Sequence, residues 1–183
     1  MHPAIERALA QFEENEKRYE QIVTENAARL NVRPRNGGWS IGECVDHVST
    51  VARQLVGPLK EAIHKAKQAG KLSTREHRPG FLGKYMTRSM EPPVKKKMKT
   101  QAVYVPASDL RFDAQTLLEQ YKDVHNTFKQ LIREADGVDL SKVRMASPAW
   151  KLLKLNLGDW FLFTASHERR HAWQAEQVAK DLK

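Results

Sequence analysis

Four stretches of this chain repeat apolar residues every three or four positions, and no stretch alternates apolar and polar residues well enough to build a sheet. The first covers about 3–30, where Ile5, Leu9, Phe12, Tyr19, Ile22, Val23, Ala27 and Leu30 share one helical face. "NVRPRNGG" then breaks it. The second opens at "SIGE": Ser40 can cap the free backbone N–H groups and Glu43 can reach back to close a capping box. Its stripe is Ile41, Cys44, Val45, Val48, Ala52, Leu55, Leu59 and Ile63, and Pro58 predicts a kink because its ring removes one backbone hydrogen bond. The third starts near Ser108 or Asp113 and carries Leu117, Tyr121, Val124, Phe128, Leu131, Ile132 and Ala135 to a stop at Gly137. The fourth is capped by Asn156 and runs almost to the end.

Helices with one apolar stripe each bury those stripes best against one another. The expected fold is all-α, a four-helix bundle in one domain spanning 1–183, with a long, partly irregular connection between helices 2 and 3. That connection holds Pro79, Gly80, Gly83, Pro92, Pro93 and Pro106, with a short helix expected around 81–90.

With 183 residues, 40% of them hydrophobic, the chain can build its core without a disulfide or a folding metal, so any metal it binds is free to be functional. Cys44 is the one cysteine, read as a small buried hydrophobe in a reducing compartment. No segment has the apolar run of a signal peptide or a membrane helix, and a soluble cytoplasmic protein is expected. The formal charge of +9 is concentrated locally: Lys95, Lys96, Lys97 and Lys99 share a Pro-containing segment without the interleaved aromatics that stack nucleic-acid bases. It reads as a solvated loop, and nucleic acid is not an expected partner.

"SHERRHAWQAEQV" contains His167, Glu168 and His171 in the H-E-x-x-H order of zinc proteases. Residues four apart on a helix stand one turn above each other, so the two imidazoles can meet at one ion. Trp160, Thr164, His167, His171, Gln174 and Val178 form a run of fours and threes expected to face the bundle axis. The protease reading lacks its third ligand: only twelve residues follow His171, and Gln174 and Gln177 stand where the extended motif needs glycine and histidine. Glu168 is rotated about 100° from His167 and is expected to be a surface carboxylate paired with a Lys or Arg.

The third ligand should therefore lie upstream. His2 is terminal, His64 is more than four turns from His47 on the same helix, His77 belongs to the long connection, and His125 sits among polar residues and is expected to face solvent. His47, in the first turns of the second helix beside its apolar stripe, is the best candidate.

"GGWSIGECVDHV", with Trp39, Ser40, Glu43 and His47, followed by "HERRHAWQAEQV", resembles the DinB-like, YfiT-like family of four-helix metalloproteins. The resemblance covers nearly the whole chain, including the long connection and the "ASPAW" approach to the last helix. It implies His47, His167 and His171 as three ligands of a divalent metal, zinc or nickel, and no catalytic role for Glu168. Characterised relatives include transferases that join a low-molecular-weight thiol such as bacillithiol to an electrophile, and a mycothiol-dependent isomerase.

The function expected on this basis is metal-assisted activation of a small thiol for transfer to an electrophilic small molecule. Hydrolysis by a metal-bound hydroxide is the alternative, and a helical binding module with a basic loop is the rival from another class. Gln174 could orient a water or substrate, Asp46 could accept from an imidazole N–H, and Trp39 and Trp160 could wall the pocket. Basic residues of 84–99 could attract an anionic thiol. The expected partners are the substrate and the thiol, with a homodimer open and no membrane.

Overall fold

The structure, a computed structural model, describes residues 1–94, 100–107 and 110–182. Lys95, Lys96, Lys97, Lys99 and Ser108 lie outside the described residues. The chain is mostly helical: α1 (Pro3–Glu25), α2 (Ile41–Gln68), α3 (Phe81–Met90), α4 (Ala114–Glu134) and α5 (Leu157–Asp181), with a minor hairpin of β1 (Arg144–Ala146) and β2 (Lys154–Asn156). Among the described residues no helix is long and apolar enough to cross a membrane.

The long helices form the expected bundle. α1 packs on α4 and α5, α2 packs on the same two, and α1 and α2 occupy opposite corners, while α3 lies against α5. The C-terminal half of α2 (Leu55, Leu59, Ile63) shares one core cluster with the start of α5 (Leu157, Trp160, Phe161). The N-terminal half of α2 (Ile41, Cys44, Val45) shares the other with the end of α5 (Ala172, Ala175, Val178), so α2 and α5 run antiparallel.

The caps explain most boundaries. At α2 the Glu43 N–H donates to Ser40 Oγ (3.2 Å) and the Ser40 N–H to Glu43 Oε2 (2.7 Å), the anticipated capping box. Glu43 is also paired with Arg33, a partner the sequence did not suggest. α2 continues unbroken through Pro58. Asp113 Oδ1 accepts from Thr116 N–H to start α4, and Gly137 follows its end at φ 81°, where a side chain would be strained.

One boundary and one element differ from expectation. α1 stops at Glu25 rather than Leu30, because Asn26 turns its side chain back to donate to the Ile22 carbonyl (2.8 Å) and a short 3-10 turn over Ala27–Arg29 follows. The hairpin was not anticipated: three-residue strands pairing Met145 with Leu155 hold a single alternation, too little to register as a pattern. It anchors α5. Leu157 N–H donates to the Val143 carbonyl, Gly158 N–H to the Leu140 carbonyl and Asp159 N–H to Asn156 Oδ1, so the free donors of the first turn find acceptors.

Candidate metal centre

α2 and α5 bring three histidines together. His47 lies two turns into α2, and His167 and His171 lie one turn apart in the middle of α5. His47 and His171 are buried and His167 is partly exposed to an adjoining cavity. One ring nitrogen of each lies within 4.8 Å of the other two, and His47 Nε2 is 3.3 Å from His167 Nε2. Among the described residues no other group of three His, Cys, Asp or Glu converges in this way.

Partners behind the rings set which nitrogen is available. His47 Nδ1 donates to the Tyr104 carbonyl (2.7 Å) and His171 Nδ1 to Gln174 Oε1 (3.1 Å). A neutral imidazole that donates from Nδ1 carries its lone pair on Nε2. Desolvation lowers the pKa of His47, against the opposing effect of the Tyr104 carbonyl. It lowers those of His167 and His171 far more, helped by the neighbouring histidines and Arg170. All three therefore favour the neutral form that can bind a cation.

The donor set fits a borderline divalent ion. Two imidazole nitrogens held about 2.1 Å from one tetrahedral centre stand about 3.4 Å apart, close to the His47–His167 separation. Three nitrogen ligands leave a position open, the pattern of a catalytic rather than a structural site.

Asp46 takes a different place from that expected, while Trp39 and Trp160 border the cavity as expected. The acceptors for the histidine N–H groups are Tyr104 and Gln174; Asp46 is half-buried, its pKa raised by desolvation against the pull of Arg53, and it bonds none of the three. Gln174 thus orients His171. Trp39 packs its ring 5.7 Å from His171 and 4.8 Å from His47, and Trp160, whose indole donates to the Met145 carbonyl, lines the same cavity.

The seam from Trp160 to Val178 faces inward as expected at Trp160, Thr164, His171 and Val178, all buried, but it also borders a cavity. His167, His171, Gln174 and Val178 line the cavity, while a second row, Phe161, Ala165, Glu168, Ala172 and Ala175, is buried in the bundle. Glu168 is therefore a core residue, not a surface one. Its carboxylate accepts from Asn15 Nδ2 (3.0 Å) and pairs with His125 Nε2 (2.7 Å), and His125, expected in solvent, is buried with it. Glu168 is committed to α1 and α4, away from the three histidines, so the protease string is a coincidence of spacing. His77 is also buried, between Ser141 Oγ and Asp159 Oδ1, where it ties the long connection to the start of α5. Cys44 is buried, as expected, and its thiol pKa is raised by desolvation.

A family profile described as the DinB superfamily matches residues 11–175. No curated protein and no solved structure matches the chain.

Proposed function

The chain belongs to the DinB superfamily, and from that premise we propose that it is a metal-dependent enzyme that transfers a low-molecular-weight thiol to an electrophilic small molecule. The observation that carries the proposal is the convergence of three desolvated imidazoles, two of which, His47 and His171, have their outer nitrogens held by Tyr104 and Gln174. His47, His167 and His171 would hold the ion, with zinc or nickel suited to an all-imidazole set. A bound divalent ion supplies Lewis acidity, which lowers the pKa of a thiol at its open position and so raises the fraction of the nucleophilic thiolate.

The chain's own residues orient and enclose the reaction. The Tyr104 carbonyl and Gln174 fix the rings of His47 and His171, and Trp39 packs against both. Arg170 lines the cavity next to His171 and supplies positive charge toward a thiol that bears carboxylates. In the reaction the thiol sulfur forms a bond to the electrophilic carbon, the leaving group departs with its bonding pair, and the thiol proton passes to solvent.

The experiment is metal analysis of untagged protein purified without added metal, joined to a conjugation assay with bacillithiol and monobromobimane. Near-stoichiometric zinc or nickel, lost in His47→Ala together with conjugation, is expected. Metal-free protein that cannot be loaded overturns the metal site, and loaded protein that conjugates no thiol overturns the transferase assignment.

A further inference from the structure

A cavity of about 1140 Å³ opens from the three histidines, above the volume of ordinary small-molecule sites. Its shape follows from the helices. Val51 and Leu55 lie four and eight residues beyond His47 on α2, and Trp160 lies seven before His167 on antiparallel α5, so both walls lead away from the histidines in one direction. At 1.5 Å per residue, the apolar wall from His47 to Leu55 is about 12 Å long.

These three side chains are buried, but the same cavity is lined further out by Val105, Trp150 and Leu152, which are 50%, 54% and 83% exposed. Large apolar side chains left in water around a concave opening mark a ligand site. Met86 and Met90 on α3 form part of the wall, and their unbranched thioethers adapt to irregular ligands. Past His171 in the opposite direction the lining turns polar, with Gln174, Gln177 and Asp181 on α5, and Ser147 and Gln101 add polar groups elsewhere, so the apolar branch lies on one side of the histidines.

We infer that the electrophile is a lipophilic molecule with an extended apolar body about 12 Å long, seated along Val51, Leu55 and Trp160 with its polar reacting end at the histidines. A small, highly polar electrophile would leave Val105, Trp150 and Leu152 in water and gain nothing from the apolar lining. The inference rests on the metal-site reading for the placement of the polar end, but the apolar channel stands on geometry alone.

The test uses two homologous series on the whole protein. Binding of n-alkyl hydroxamates from acetyl to decanoyl is measured by calorimetry on zinc-loaded protein, and displacement of Nile red by n-alkanols is measured on metal-free protein. Affinity is expected to rise about fourfold per added methylene in both series until the channel is filled. Val51→Trp should weaken the long-chain members and spare acetohydroxamate. Leu152→Ser, at an exposed position that does not threaten folding, should lower long-chain affinity several-fold. A methylene dependence in the alkanol series with no gain for hydroxamates from zinc supports the channel while removing the metal reading. Zinc-dependent hydroxamate binding that is flat with chain length overturns the inference and leaves the metal reading intact.

Discussion

The Nε2 of His125 lies 2.7 Å from Oε1 of Glu168 in the bundle core, with each residue only 1% exposed. Asn15 reaches the other carboxylate oxygen, Tyr19 donates to the Glu168 backbone carbonyl (2.8 Å), and His125 Nδ1 donates to the Tyr121 carbonyl (2.7 Å). The network joins α1, α4 and α5 on the face of α5 turned toward α1 and α4, away from the three histidines. It fixes the rotation of α5 about its axis, and with it the direction in which His167 and His171 point.

Glu168→Ala should destabilise the fold by about 3–5 kcal/mol, because it leaves His125 Nε2 buried without its acceptor and Asn15 with only the Ala165 carbonyl. Against a total of about 5–15 kcal/mol, the variant is expected to be marginal. Glu168→Gln keeps the volume and one acceptor and should lose less. Urea unfolding checks both, and metal content per folded molecule should stay at the wild-type level. Lost metal binding in a well-folded Glu168→Gln protein would return the carboxylate to the site.

Gln174→Leu should weaken zinc binding about 10–100-fold, since His171 loses the partner that holds its ring and tautomer. Gln174→Glu retains an acceptor and should bind more tightly than Gln174→Leu. Competition against a chromogenic chelator reads the affinities, and equal values for the two variants would remove the orienting role.

In the metal-free protein, stability should fall as the pH drops below about 6.5. Desolvation depresses the folded-state pKa of His47, His167 and His171. Below the unfolded value the unfolded chain binds more protons than the folded one, so acid favours unfolding and the contribution is absent at higher pH. The slope is up to about 1.4 kcal/mol per pH unit for each histidine fully engaged, and it ends as the pH passes each folded pKa. Urea midpoints at pH 7.5 and 5.5 should diverge more for wild type than for His171→Gln. Parallel profiles would contradict the desolvation of this site.

Gly158→Ala sets two effects against each other. Alanine raises helix propensity by about 1 kcal/mol, but its Cβ would stand 2.5 Å from His77 Nε2, a clash with a buried ring. Overpacking costs about 1–3 kcal/mol, so a net loss is expected in the thermal midpoint. In a His77→Ala background the clash is gone, and the same substitution should become neutral or stabilising.

The bundle was legible because its signals are local. Ser40 with Glu43, Asp113, Asn156 and Gly137 terminate helices through partners within a few residues, and the apolar spacing names the buried face. The three histidines were legible for the same reason, two by their single-turn spacing and His47 by its place beside the stripe. Tyr104 and Asn15 were not, because a backbone carbonyl from a distant turn and an amide on α1 carry no pattern in the chain. The buried row on α5 escaped notice because alanines and a glutamate do not register as an apolar stripe, although they recur at bundle spacing.

Periodicity and capping in the linear chain were enough to establish the helices, their rough limits and the pair of histidines on one face, since each depends on backbone geometry over a turn or two. Which of two inward rows of α5 meets the bundle and which opens on a cavity depended on how α1, α2 and α4 pack around it. Burial of Glu168 with His125, and the length of the apolar channel, arise from contacts between residues far apart in the chain, whose free energies no local spacing contains.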